Sequence, residues 1–310
     1  MKISDNNLHI IIQGPLLSIG KTARDIETDK VHAEAIMFDC EQNILEQIHE
    51  IKKYLPNASI SVVITDDNTL NSYVDVEVLH DSYQFSGCED QKNKNKYRQF
   101  SSTLAGIIDQ KSHTMKIRTD MAFDWKNISQ LMQNQNFEDY IYVNFLHTNF
   151  IEVPDFVFLG KTQRIKDFCN SMVNYKYDFL DNVHTDMTVK YIFQFYRKIV
   201  NISDIAYFVR VHGKANQLNR HIFNFAFENV YHALPFGFHP ITWRGDSFPS
   251  DYLQRIKDEF IWDAKKNFHD TDIAYQRPKY NFARYLLHSK WINRNLFILI
   301  SILKRKFKKS

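Results

Sequence analysis

Glycine and proline are scarce in these 310 residues, eight and seven of them, which excludes a collagenous chain, a Gly-rich or Pro-rich linker and a low-complexity array. Cysteine is scarcer still. Cys40, Cys88 and Cys169 stand far apart with no paired spacing, which argues against a disulfide framework or a thiolate zinc site and fits buried thiols in a reducing compartment. Charge of one sign is also lacking: a formal net charge of +3, part of it in the last few residues, is too small to indicate a nucleic-acid partner. No apolar run reaches the roughly 18 to 20 residues of a membrane span. Met1-Lys2-Ile3-Ser4-Asp5 does not open a secretory signal, so the expected location is the cytoplasm. The 13 histidines show no metal-ligand spacing, and neither a Gly-x-Ser-x-Gly elbow nor a Gly-x-x-x-x-Gly-Lys phosphate loop occurs.

What the chain has in quantity is apolar and aromatic side chains. A hydrophobic content of 44%, with 25 Phe and 16 Tyr, is enough for one large core and excludes disorder over most of the length. Leu8 to Gln13 is a short apolar run closed by Gly14-Pro15, which reads as a buried strand ending in a turn, with Gly14 permitting close approach of a ligand to the backbone. From Asp39 to Leu55, Ile44, Ile48, Ile51 and Leu55 recur at helical spacing. Pro56-Asn57 stops that helix and Ile60 to Thr65 follows as a β-branched strand, which completes a βαβ unit with Thr65 at a strand end. Val76 to Leu79 gives a third strand. A polar stretch from Ser82 to Lys96 reads as a long loop. A helix from Asn95 to Ile108 then places Asn95, Arg98 and Gln99 on the side opposite Tyr97, Phe100 and Leu104, as a cleft lining for a base or phosphates or as a solvated face.

The chain is organised around Met115-Lys116-Ile117-Arg118-Thr119-Asp120-Met121. Alternating apolar residues lead into a carboxylate at what should be the C-terminal edge of a strand, where α/β sheets bind ligands. Asp120 can there face a metal ion or a diphosphate, and Arg118 can pair with phosphate oxygens. The alternative is a strand ending in a helix-capping Asp. Trp125 to Met132 reads as a helix, Tyr140 to Phe145 and Phe156 to Gly160 as strands, and Thr162 to Met172 as a helix. His184-Thr185-Asp186 opens another helix, with Asp186 in its first turn. Residues 200 to 285 scatter His, Phe, Tyr, Trp and Asn without a period, as an irregular aromatic core or an acceptor pocket. Trp291 to Leu303 is an apolar helix running into Lys304-Arg305-Lys306-Phe307-Lys308-Lys309, suited to lying in the interface of an anionic membrane.

Ile12-Gln13-Gly14-Pro15, the helix with Arg98-Gln99 and Ser102-Thr103-Leu104-Ala105-Gly106, Lys116-Ile117-Arg118-Thr119-Asp120 and Asp155-Phe156-Val157-Phe158-Leu159-Gly160 together resemble the WavE lipopolysaccharide-synthesis family over roughly residues 8 to 200. The resemblance implies a glycosyltransferase or close relative with a GT-A-like, mixed and mostly parallel sheet flanked by helices. It implies a nucleotide-sugar donor, held by Gln13, Gly14, Pro15, Thr65, Asn95, Arg98, Gln99 and Arg118, and a lipid-linked or lipopolysaccharide, O-antigen or capsule glycan as acceptor. Arg118-Thr119-Asp120 takes the place of the Asp-x-Asp signature. Asp120 is then the ligand of a divalent metal, Mn or Mg, or Arg118 neutralises the diphosphate directly. Asp186 is the candidate catalytic base. The expected division is a nucleotide-sugar-binding core over 1–200, an acceptor-side region of the same domain over 201–290, and a membrane-associating tail over 291–310, peripheral on the inner membrane. Two other functions are open: a non-catalytic assembly subunit that keeps the nucleotide-binding fold, and a transferase of a non-sugar substituent to the same glycans.

Overall fold

The computed structural model describes residues 2–19, 37–64, 77–80, 91–144, 146–147, 156–173, 230–247 and 260–261. Its centre is a seven-stranded sheet. In chain order the strands are β1 (Leu8–Gly14), β2 (Ser59–Ile64), β3 (Glu77–His80), β4 (His113–Arg118), β5 (Ile141–Val143), β6 (Phe158–Lys161) and β7 (Tyr231–Ala233). Side by side they run β3-β2-β1-β4-β6-β5-β7. β6 is antiparallel to β4 and β5, whereas every other pairing is parallel. The expected mixed, mostly parallel sheet flanked by helices is the one this chain adopts.

The central strands form because their residues are apolar on both faces, as parallel strands covered on both sides must be. On one face Leu8, Ile10, Ile12, Ile60, Val62, Ile64, Met115 and Ile117 pack against Ile44, Ile48 and Ile51 of helix α1 (Cys40–Tyr54) and Trp125, Ile128 and Met132 of α3 (Trp125–Asn134). Burying each such side chain contributes about 1.5 to 3 kcal/mol. On the other face lie α2 (Gln91–Ala105) and α4 (Thr162–Val173), where Phe100, Phe158 and Phe168 meet with ring centroids 5.2–6.3 Å apart.

Helix starts are set by capping. Asp39 accepts from the backbone N–H of Glu41 and Gln42, at 2.9 and 3.2 Å, and Asp124 accepts from that of Asn127 at 3.0 Å. The cap before Trp125 is therefore Asp124, and Asp120 does other work. α2 begins at Gln91, inside the stretch expected to be a loop. Its first turns, Gln91 to Lys96, carry no apolar residue, so no periodicity marks them.

Strand order reverses at β1: β2 and β3 lie to one side of it and β4 to the other. At such a switch point two parallel strands send their following segments to opposite faces, which leaves a crevice at their C-terminal ends. A three-stranded ribbon of Met121–Ala122, Thr242–Trp243 and Asp246–Ser247 stands next to that crevice. A pair of short strands, Leu17–Ile19 and Met37–Asp39, flanks it.

Candidate functional site

At the switch point Gln13 of β1 is in register with Arg118 of β4, so both side chains leave the same face of the sheet at its C-terminal edge. Gln13 is buried, its backbone O accepts from Thr119 N at 3.1 Å, and its Oε1 has no hydrogen-bond partner among the described residues. Gly14 has φ 147°, and a β-carbon there would run into Thr119 Oγ1. The Thr119 hydroxyl donates to Pro15 O at 2.9 Å. Asn43 of α1 donates to the carbonyls of Thr119 and Met121 at 2.7 and 3.0 Å, and Cys40 N donates to Leu16 O at 2.8 Å. The two crevice loops, 14–16 and 119–121, are thus bound to each other and to the start of α1.

Within this frame Asp120 is almost fully buried, at 1% exposure. Arg118 donates to it through two nitrogens, Nε to Oδ1 at 2.8 Å and Nη2 to Oδ2 at 2.9 Å. Trp243 Nε1 donates to Oδ2 at 3.1 Å and Arg244 Nε to the same oxygen at 3.2 Å. Burial by itself would raise the Asp120 carboxyl; the Arg118 and Arg244 guanidiniums outweigh it and hold the group well below the usual carboxylate range.

Arg244 and Gly245 form the two-residue loop between Thr242–Trp243 and Asp246–Ser247, with φ 55° and 79°. Positive φ at both positions is the turn that matches strand twist, and it favours Asn, Asp or Gly over Arg. The Arg244 backbone N–H donates to Asp120 O at 2.7 Å, its guanidinium lies 4.9 Å from the centre of the Trp243 ring, and Phe38 packs beside Gly245. Lys116, two residues before Arg118 on the same face, is fully buried with Nζ 4.9 Å from the centre of the Phe158 ring.

The structure brings together Gln13, Gly14, Pro15, Arg118 and Asp120 from the sequence-expected set. Arg98 is exposed and Gln99 half-buried on α2. That helix runs opposite to β1, since Gly106 O beyond its end meets His9 Nε2 at 2.7 Å near the start of β1. Its earlier turns therefore climb toward the crevice, and at 1.5 Å per residue Arg98 sits about 12 Å above Gly106. Asn95 occupies α2, with its side chain outside the description. Thr65, Asp186 and the whole 291–310 tail lie outside the described residues.

The residues present do not fit a divalent cation at Asp120. A carboxylate accepts about four hydrogen bonds, and four donors from Arg118, Trp243 and Arg244 already point at this one. Among the described residues no three His, Cys, Asp or Glu side chains come together. Sequence reasoning missed Arg244, Trp243 and Asn43. Gly245 was a turn signal, but Arg244 before it is not a residue that hairpin turns favour, and Asn43 was hidden in a helix read for its isoleucines.

No family model matches the chain, and no curated protein does. Among solved structures, it is similar to 4-diphosphocytidyl-2C-methyl-D-erythritol synthase from Anaerococcus prevotii DSM 20548, at 10% identity and a TM-score of 0.35, covering 81% of this chain and 97% of that one. It is also similar to a protein described as a nucleotide-diphospho-sugar transferase from Desulfovibrio desulfuricans G20, at 8% identity and a TM-score of 0.31, covering 72% and 96%. A likeness of this degree assigns no activity.

Proposed function

We propose that the chain is a glycosyltransferase that moves a sugar from a nucleotide-sugar donor to a lipopolysaccharide, O-antigen or capsule glycan, as its resemblance to the WavE family implies. The observation that carries this reading is the crevice at the β1/β4 switch point, where Gln13-Gly14-Pro15 and Arg118 meet at the sheet's C-terminal edge. In this reading the glycine turn lets the donor approach the backbone, and Asn95, Arg98 and Gln99 on α2, with Thr65, next in sequence after β2, join the donor site.

Glycosyl transfer requires positive charge on the departing phosphate and, with inversion, a base at the acceptor hydroxyl. Arg118 supplies charge of the right sign, and Asp186 is assigned the base. The division into a donor-binding core over 1–200, an acceptor side over 201–290 and a tail over 291–310 that holds the protein on the inner membrane belongs to the same proposal.

Incubation with UDP-, GDP-, dTDP- and CMP-sugars, followed by melting temperature and nucleotide release, tests it. One nucleotide class should raise the melting temperature and be released slowly without acceptor, and Arg118→Lys should weaken that donor's binding with near-normal melting. No response to any donor would replace this reading with that of a non-catalytic subunit.

A further inference from the structure

We infer that Asn43 of α1 is a positioning residue of the crevice, which holds the 119–122 edge in the form that binds the donor; its effect on binding rests on the crevice being the donor site. Four successive carbonyls of that edge are taken alternately from two sides. Asn43 Nδ2 donates to Thr119 O at 2.7 Å and to Met121 O at 3.0 Å, while the backbone N–H groups of Arg244 and Ile241 donate to Asp120 O and Ala122 O at 2.7 and 2.8 Å. Both acceptors facing Asn43 are carbonyls, which have no proton to give, so it is the amide nitrogen that meets them. Asn43, Thr119 and Met121 are all buried, so water does not take over these bonds when the amide is removed. One side chain thus does for the α1 side of this edge what the backbone around 241–244 does for the other.

The edge so held is the one that borders the crevice. Thr119 N donates to Gln13 O and the Thr119 hydroxyl to Pro15 O, so fixing Thr119 also fixes the Gln13-Gly14-Pro15 turn. α1 is itself seated at that turn, because Cys40 N donates to Leu16 O at 2.8 Å. One turn further along the same helix face Gln47 is also buried, and its Oε1 accepts from Trp125 Nε1 at 2.7 Å. The two amides belong to one stripe of α1, yet Gln47 ties the helix to α3 and Asn43 ties it to the crevice. A binding edge held by a rigid helix has its geometry before the ligand arrives, and such preorganisation spares the ligand the cost of ordering it.

The test compares Asn43→Ala with Gln47→Ala in the full-length protein, at a temperature where both are folded. Each removes one buried amide from α1, so both should lower the melting temperature. Only Asn43→Ala should also weaken binding of UDP-, GDP-, dTDP- or CMP-sugar, whichever the wild type takes, by about 10- to 100-fold, as when a group that orients the ligands of a metal is lost. Asn43→Asp, of the same size but turning an acceptor toward two carbonyls, should bind no better than Asn43→Ala. Amide hydrogen exchange gives a readout that needs no ligand: the N–H groups of Thr119 and Arg244 should exchange faster in Asn43→Ala and at the wild-type rate in Gln47→Ala. Affinity that Asn43→Ala lowers no more than Gln47→Ala does, wild-type binding in Asn43→Asp, or exchange that does not distinguish the two Ala variants would overturn the inference and leave the glycosyltransferase reading standing. Faster exchange confined to Asn43→Ala, with no nucleotide sugar bound even by the wild type, would keep the positioning role and remove that reading.

Discussion

The Thr119 hydroxyl occupies the space that a β-carbon on residue 14 would need, and the same hydroxyl holds Pro15 O at 2.9 Å. Gly14→Ala therefore meets both a clash and an unfavourable φ. It should cost about 1 to 3 kcal/mol in urea unfolding. In a Thr119→Ala background the clash is gone and the φ penalty stays, so the same substitution should cost measurably less. Equal costs in the two backgrounds would show that the contact is not what excludes a side chain at position 14.

Asp120 and Asp124 are four residues apart and their substitutions by Asn should differ sharply. Asp124 caps α3, and Asn caps about as well as Asp, so Asp124→Asn should be nearly neutral. Asp120→Asn leaves two guanidiniums facing a neutral amide in a buried position. Because both arginines are partly exposed, the loss should fall near the lower end of the 3 to 5 kcal/mol typical of broken buried pairs, about 3 kcal/mol in urea unfolding.

Stability should decline with acid through three buried histidines. Burial lowers His9, His113 and His239, the last to about 4. A folded-state value below the unfolded one means the unfolded chain binds more protons, so the stabilisation is complete above about pH 6.5 and is lost as pH falls through the folded values. For His239 the loss approaches about 3 kcal/mol below pH 4. Urea midpoints at pH 7.5 and pH 5 should differ more in the wild type than in His239→Gln.

The tail prediction comes from sequence alone. Full-length protein should float with anionic liposomes, and a version ending at Ser289 should not. Exposed charges are screened within about 8 Å at physiological ionic strength, so added salt should release the full-length protein. Equal flotation of both versions would remove the membrane assignment of Trp291 to Lys309.

The parts of this fold that were legible are those whose neighbours in sequence carry the signal. Leu8 to Ile12, Ile60 to Ile64 and the Ile44-Ile48-Ile51 stripe announce two strands and a helix because burial on both faces makes a strand an unbroken apolar run and burial of one helix face imposes a period of 3.6. Arg118 and Asp120 stood out because a charged pair follows directly on an apolar strand. The Asp120 partners did not: Arg244 lies 124 positions later, in a turn whose composition says only that the chain reverses. β7 is three residues long, too short for any period to register, and the direction of β6 depends on pairing that no local pattern encodes.

That reversed strand has a consequence for how the protein can diversify. Because β6 opposes its neighbours, the chain leaves β5 and enters β6 on the same rim as Arg118, where Phe158 pairs with Lys116. Asn144 fastens the two stems, accepting from Val157 N at 2.9 Å and donating to Phe238 O at 3.2 Å. The chain between Asn144 and Val157 thus starts and ends at fixed points on that rim. Closing a longer loop between fixed ends costs little more than closing a short one. Insertions between those two points would lengthen the connection and leave the register of β4, β5 and β6 as it is.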